Sequence, residues 1–415
     1  MTPLQSAQFA SSAPLELKQS NRSQVLHAFF KGGALSVNDV ALSVGLSRQT
    51  VMKSIQVFLQ QGLLISTGKG QSTEIGGKRP ELFSLPPDKY FLCIALWPDI
   101  LGIRLYTLSG GIVDSTILNI VLPGDPATAV DMACEFVNEI IVAKAIDKRQ
   151  IISVHISTSG IVDQENGVLK YCALTPNWGR DVPLAKYFRP HFAASTKILL
   201  ASAVTTMAYP FLWDPKYAGK RVLTMFTSWI VASSFIENNR IFLGRNALIG
   251  ELGHMIVDPN DPEVCGCGSC GCLERMIDEK HITNLMLENK EQHPDSPLFH
   301  VPAGKITIPT IFFFAQQEDP LSQIIVEYLA RHFAVALRNV AIAFDPDFVV
   351  FLGDYTCANS YFDLQLQKNL MAFRYFHAEK PFETVYDVRH PVEMGIYGTY
   401  LMLVEDYVYD STRSL

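Results

Sequence analysis

Residues Gly250–Glu274 read GELGHMIVDPNDPEVCGCGSCGCLE and hold four of the chain's eight cysteines. Cys265, Cys267, Cys270 and Cys272 fall within eight positions, and His254 lies eleven residues ahead of Cys265. Thiols so close in sequence cannot be distributed through a core, so something must gather them. Three thiolates and an imidazole form a common tetrahedral set for structural zinc, one that leaves no open position for a catalytic water. Gly266, Gly268 and Gly271 let the backbone wrap tightly around such an ion. Gly266-Cys-Gly268-Ser-Cys-Gly271 also matches a dinucleotide fingerprint in letters. That motif needs a strand before it and a helix opening on it, whereas an Asp/Pro-rich loop precedes it here. A disulfide knot is the other reading. The start of the chain, MTPLQSAQFASSAPLELKQ, lacks the basic lead and apolar run of a secretory signal, and the other cysteines are scattered. A cytoplasmic location and a metal site are therefore expected. Cys93, Cys134, Cys172 and Cys357 read as buried thiols.

The pattern Gly-Glu-x-Gly-His, about ten residues, then Cys-x-Cys-Gly-x-x-Gly-Cys-Leu-Glu resembles the signature of the ROK family of repressors, open reading frames and sugar kinases. The resemblance implies zinc ligands at His254, Cys265, Cys267 and Cys272, with Cys270 at a variable position. It implies sugar-hydroxyl contacts at Glu251, His254 and Glu274. Ser157–Trp178 and Ala334–Gly353 are similar to further segments of the family. The implied body is a two-lobed actin/hexokinase-like ATPase fold.

Composition narrows the class. With 48% hydrophobic and 18% charged residues the chain folds rather than staying disordered. No apolar run reaches 18 residues, so no membrane span is expected. The net charge of −7 is unevenly spread. Residues 1–86 carry eight Lys and Arg against four Asp and Glu, which makes them +4 and leaves −11 for the rest. A basic module on an acidic body is expected where one end alone meets phosphates.

That module shows three helical patterns. Asn21–Phe30 places Val25, Leu26, Phe29 and Phe30 on one face. Ser36, with Asp39 three residues on, has the spacing of a capping box, and Gly45 ends the helix it opens. Ser47 caps a third helix, Arg48–Gln61, whose Val51, Ile55, Phe58 and Leu59 recur at helical period. Helix, glycine turn and helix form the helix-turn-helix layout, with the last helix in the major groove. Arg48 and Gln49 can pair with base edges, and Thr50 and Lys53 suit phosphates or a thymine methyl. Two short strands around a polar loop, Leu63–Ser66 and Glu81–Leu85, form the expected wing, from which Lys69, Lys78 and Arg79 reach the backbone. Gly-Gly-Lys-Arg-Pro ahead of the second strand also resembles the wing-to-body junction of ROK repressors. Gly68-Lys69 is no P-loop, because Gly70 stands where a Ser or Thr must hold magnesium.

Beyond residue 87, strands at Tyr90–Leu96, Ile103–Leu108, Ile151–Ser157, Lys197–Leu200 and Val222–Phe226 alternate with helical stretches such as Asp125–Lys148, so an α/β body is expected. Phe312–Phe314, Tyr328, Phe333 and Leu337 read as core or subunit contacts, and Gly395–Tyr407 as a terminal helix. A sugar kinase of this family needs two phosphate turns and a catalytic carboxylate. At the matching places the chain has Trp97-Pro98-Asp99-Ile100-Leu101, then Ser228–Ser234 without a glycine, then Leu199-Leu200-Ala201. Between Pro190 and Pro210 there is no Asp or Asn at all.

The expectation is an α/β chain with a lead over 1–18, described as flexible, and a winged helix-turn-helix over 19–86. Two lobes follow over 87–205 and 206–415, the second with a zinc loop at 250–274 and the C-terminal helix. The implied function is a ROK-type transcriptional regulator, a repressor of carbohydrate-related genes, whose sugar-kinase-like body has lost catalysis. A ROK sugar kinase with atypical catalytic residues is the alternative. Expected partners are palindromic operator DNA, further copies of the chain as homodimer or homotetramer, a sugar or sugar-phosphate effector, or a protein partner.

Overall fold

A computed structural model describes residues 3–70, 79–302, 304–358, 360–372 and 380–413. In chain order the helices are α1 (Pro3–Gly32), α2 (Val37–Val44), α3 (Arg48–Gln60), α4 (Pro126–Ala143), α5 (Leu184–Phe188), α6 (Ala203–Trp213), α7 (Leu273–Ile277), α8 (Glu279–Glu288), α9 (Ile308–Gln316), α10 (Pro320–Phe344), α11 (Ser360–Met371) and α12 (Pro391–Arg413). The strands are β1 (Leu35–Ser36), β2 (Ile65–Lys69), β3 (Glu81–Ser84), β4 (Tyr90–Trp97), β5 (Ile100–Thr107), β6 (Ile112–Asn119), β7 (Ile151–Thr158), β8 (Ile161–Asp163), β9 (Val168–Tyr171), β10 (Lys197–Ser202), β11 (Val222–Thr227), β12 (Val231–Glu237), β13 (Arg240–Phe242), β14 (Phe348–Gly353) and β15 (Glu383–Tyr386). Two compact units divide the chain: residues 1–157, 184–200 and 399–415 form one, and 158–183 with 201–398 form the other.

In the first unit, α1, α2 and α3 pack around Val25, Leu26, Phe29, Val40, Val51, Ile55 and Phe58, all fully buried. Local chemistry sets the ends of α2. The Ser36 side chain accepts from the Asp39 N–H, and the Asp39 carboxylate accepts from the Ser36 N–H at 2.9 Å, a reciprocal capping box. Gly45 closes the helix in the left-handed region, at φ 67°. Ser47 then caps α3 by accepting from Thr50 N–H. β1, β3 and β2 form a small antiparallel sheet in that order, with Phe83 opposite Leu35 and Ser66. The expected wing strands are present, with β2 displaced toward the loop. Its tip, residues 71–78 and with it Lys78, lies outside the described residues. The helix expected at Asn21–Phe30 is part of a longer one. α1 begins at Pro3, so the stretch expected to be a flexible lead is helical from there onward. No glycine interrupts it before Gly32.

A five-stranded sheet, order β10-β7-β4-β5-β6, continues this unit. β4 and β5 pair from Tyr90↔Thr107 through to Trp97↔Ile100, so only Pro98 and Asp99 turn the hairpin. Ile100 and Leu101, read as part of a loop in the sequence, are strand residues. α4 is capped by Asp125, whose carboxylate accepts from Thr128 N–H at 2.8 Å. The end of α12 also belongs here. Lys197 bridges Asp406 and Asp410, each at 2.7 Å, and the Tyr400 hydroxyl donates to Leu108 O. The lobe boundaries therefore differ from the expected 87–205 and 206–415. Residues 399–415 return to the first unit, and 158–183 belong to the second. Chain order does not reveal such returns.

The second unit is built on a sheet of order β13-β12-β11-β14-β15, in which β11, β14 and β15 run parallel and β12 antiparallel. α9, α10 and α11 cover it over an aromatic core of Phe312, Phe333, Phe351, Tyr355 and Phe362, each within 1% of full burial. Phe312 belongs to the core as expected, but its neighbour Phe313 is exposed. Cys93, Cys134 and Cys172 are buried, whereas Cys357 is exposed. It ends the single turn Asp354–Cys357 that leaves β14 for the surface.

A candidate metal centre and an exposed helix face

In the second unit the loop from Glu251 to Cys272 is held by its own backbone. Val257 N–H donates to Gly271 O at 2.8 Å, Leu273 N–H to Met255 O, and Cys265 N–H to Ser269 O. These bonds fold the loop back on itself and bring its two ends side by side. Gly271 is the position where only glycine fits. Its φ is +71°, and a Cβ there would lie 1.8 Å from Asp258 O. Arg275, nearly buried in α7, pairs with both Glu263 and Asp278, and Lys280 reaches Glu263 at 3.0 Å. The arm that leads into Cys265 is thereby tied to the helix that follows Cys272.

The result is a cluster of four donors. A ring nitrogen of His254 and the sulfurs of Cys265, Cys267 and Cys272 all lie within 4.8 Å of one another. Cys267 and Cys272 sulfurs are 3.5 Å apart, and Cys265 Sγ is 3.6 Å from His254 Nδ1. A tetrahedron with metal–sulfur bonds of about 2.3 Å has sulfur–sulfur edges of about 3.8 Å, so the four donors fit one such ion with little rearrangement. Cys270 is not in the cluster: its sulfur faces Pro262 O at 3.9 Å. Burial raises the thiol pKa of Cys265 and of Cys272, so a cation entering here displaces protons.

Two carboxylates accompany the cluster. Glu251 Oε2 is 3.9 Å from His254 Nε2, on the side of the ring away from Cys265. Burial pushes the Glu251 carboxyl up and Glu274 adds to it, against the pull of His254. Glu274 is also raised by burial, while Val231 N–H, donating to its Oε2 at 3.0 Å, opposes the rise. Glu274 thus has a structural bond at the start of β12, whereas no hydrogen bond to the Glu251 carboxylate is observed among the described residues. Glu251 and His254 line a cavity of about 310 Å³ whose other walls include Leu223, Phe235, Leu248, Met255 and Phe344.

The places where a kinase needs its phosphate turns and base look different. After β11, Ser228 N–H donates to Ile230 O in a tight turn, and the Ser228 hydroxyl donates to the Asp354 carboxylate. An anionic group is thus fixed at that turn. In the first unit Leu101 and Leu200 are buried strand residues, as is Ala201, the next residue of β10, and the Trp97 indole N–H donates to Ser157 Oγ at 3.1 Å.

On α3, Arg48, Gln49 and Lys53 are exposed on the side away from the core, and Arg79 is exposed just ahead of β3. Thr50 differs from the others. It is half-buried, and its hydroxyl lies 2.9 Å from Ser47 Oγ, so it takes part in the cap. Three further residues share the exposed side, Met52, Gln56 and Gln60. Counting residues by type passes over them, whereas plotting the helix at about 100° per residue finds them.

An α/β body of two units, a four-donor Cys/His cluster and a basic three-helix head define a class of multidomain α/β proteins. The model of the ROK family matches residues 114–404, and the chain belongs to that family. The xylose repressor of Caldicellulosiruptor bescii is 22% identical over 339 residues, which cover 80% of this chain and 83% of the repressor. Among solved structures, a ROK family transcriptional regulator homologous to the E. coli MLC protein superposes with TM-score 0.77 at 19% identity, over 95% of this chain and 98% of its own. The ROK hexokinase from Thermus thermophilus superposes with TM-score 0.59 at 19% identity, and 99% of it covers only 76% of this chain.

Proposed function

We propose that this protein is a DNA-binding transcriptional regulator, a repressor of carbohydrate-related genes, and that its kinase-like body serves for sensing and assembly. The observation that carries the reading is the exposed face of α3. Arg48, Gln49 and Lys53 project from a helix preceded by a capped helix and a glycine turn, with a hairpin after it. This is the layout of a winged helix-turn-helix, whose recognition helix enters the major groove. Lys78 and Arg79 are assigned to the phosphate backbone beside it. Two heads on a two-fold axis require a palindromic operator, hence a homodimer or homotetramer.

His254, Cys265, Cys267 and Cys272 are assigned to a structural zinc ion, which when bound cross-links the two ends of the loop. Glu251, His254 and Glu274 are assigned to a sugar or sugar-phosphate effector. Phosphoryl transfer is not assigned. The Ser228–Asp354 bond sets a negative group where a phosphate turn would need backbone donors, and Ala201 stands where a general base would act.

The test is selection of sheared genomic DNA on the full chain at fixed, near-physiological salt, because low salt favours nonspecific phosphate contacts. Palindromic fragments released by one sugar support the whole reading. Fragments indifferent to every sugar support the regulator and defeat the effector assignment. No enrichment, together with ADP release in the presence of a hexose panel, would defeat the reading in favour of a sugar kinase.

A further inference from the structure

The buried residues of α3, Val51, Ser54, Ile55 and Phe58, fix which way the helix faces. On the other side lie Arg48, Gln49, Met52, Lys53 and Gln56, and all five are exposed. Their spacing of i, i+1, i+4, i+5 and i+8 makes one continuous stripe. Met52 is the only apolar member, 38% exposed among two cations and two amides. Single exposed apolar side chains are ordinary on protein surfaces, so its place in the stripe, one turn after Arg48 and one turn before Gln56, carries the argument. The apolar feature that a major groove presents to a protein is the C5-methyl of thymine, and the edge that a glutamine amide fits in paired fashion is adenine.

We infer that Met52 and Gln56 complete the base-reading face, with Met52 packed on a thymine methyl and Gln56 paired with an adenine. The inference rests on the DNA-binding reading above and adds to it the content of the half-site. The two residues are one helical turn apart, about 6 Å along the axis. At about 3.4 Å per base step, the thymine and the adenine fall within about two base pairs of each other in each half-site, because any tilt of the helix shortens the projection. The positive charge of the head and the cations Arg48 and Lys53 at either side of Met52 match a nucleic-acid occupant.

The experiment starts from random-sequence duplex DNA selected on the wild-type full chain, which yields a consensus site. Each thymine of that site is then replaced in turn by deoxyuridine, which keeps the hydrogen-bonding edge and removes only the methyl. Binding of wild type, Met52→Ala and Gln56→Ala is measured at one salt concentration. Wild type is expected to lose about fourfold in affinity at one thymine per half-site, the effect of one buried methyl group. Met52→Ala is expected to show no loss at that thymine. Gln56→Ala is expected to lose at least about fivefold of its preference for the adenine. Both side chains are exposed, and unchanged thermal melting verifies the fold of each variant. Equal loss for wild type and Met52→Ala, or no sensitive thymine at all, overturns the role of Met52. An unchanged adenine preference overturns that of Gln56. Failure of the wild type to select any sequence overturns the DNA-binding reading itself, a result distinct from the other two.

Discussion

Gly271→Ala and Gly266→Ala make a paired test of the metal loop. At Gly271 an added Cβ would lie 1.8 Å from Asp258 O and 2.6 Å from its carbonyl carbon. Even to reach 3.0 Å, the two strands of the loop must separate by about 1.2 Å. Metal–ligand bonds tolerate about 0.2 Å, and Cys272 is the next residue. The left-handed backbone at Gly271 adds about 1–2 kcal/mol of strain for an alanine. Gly266 has no such constraint, because a Cβ there meets nothing within 4 Å. Zinc content by mass spectrometry and thermal melting of the two purified variants decide the matter. Gly271→Ala is expected to carry well under one zinc per chain and to melt several degrees lower, with Gly266→Ala like wild type in both. Full zinc occupancy in Gly271→Ala, at wild-type affinity, would refute the argument that this loop's backbone sets the ligand geometry.

Cys270→Ser is expected to leave the zinc content unchanged, since its sulfur faces Pro262 O, while Cys272→Ser is expected to abolish stoichiometric binding; metal analysis of both variants checks this. Because burial holds the Cys265 and Cys272 thiols protonated in the metal-free protein, zinc must displace their protons, and its apparent affinity is expected to rise with pH below the thiol range. A chelator competition titrated across pH that gave a flat profile would contradict it. Ser36→Ala removes the cap of α2 and is expected to cost about 1 kcal/mol, read by urea denaturation, whereas a change under about 0.3 kcal/mol would mean the capping box contributes little. Cys267→Ser, at the most exposed of the ligands, is expected to spare operator binding and to lose release by effector, and loss of both together would contradict the separation of the two roles.

The head was legible because its signals are local. Ser36, Asp39, Gly45 and Ser47 determine helix ends within three or four residues, and the period of Val51, Ile55 and Phe58 reports the buried side directly. The four-donor cluster was legible through its spacing and through family resemblance. Other features required the tertiary structure. The exclusion of Cys270 depends on which way one sulfur turns in a loop whose bridge pairs it with Val264. The exposure of Cys357 depends on where β14 ends. The place of residues 399–415 depends on contacts with residues 200 to 300 positions earlier, such as Lys197 with Asp406 and Tyr400 with Leu108. The type of Thr50 suits phosphate, and the same hydroxyl suits a helix cap, so its part in the cap is visible only in the geometry.

His254 links the structural and the sensing parts of the proposed function. Its Nδ1 faces Cys265 and its Nε2 faces Glu251, so one planar ring takes part in both sites. With Nδ1 bound to a cation, the ring is fixed and its remaining nitrogen carries the proton toward the carboxylate. Glu251 itself sits in a setting that disfavours its charge, chiefly through burial. A structural ion at this place therefore affects more than the stability of the loop. Under the proposed function, it would also set the direction from which Glu251 meets a ligand as a hydrogen-bond acceptor. The kinase-like turns, by contrast, share no residue with this arrangement. In the proposed function, the departures at Ser228 and Leu101 and the retention of His254, Glu251 and the three cysteines are therefore physically independent.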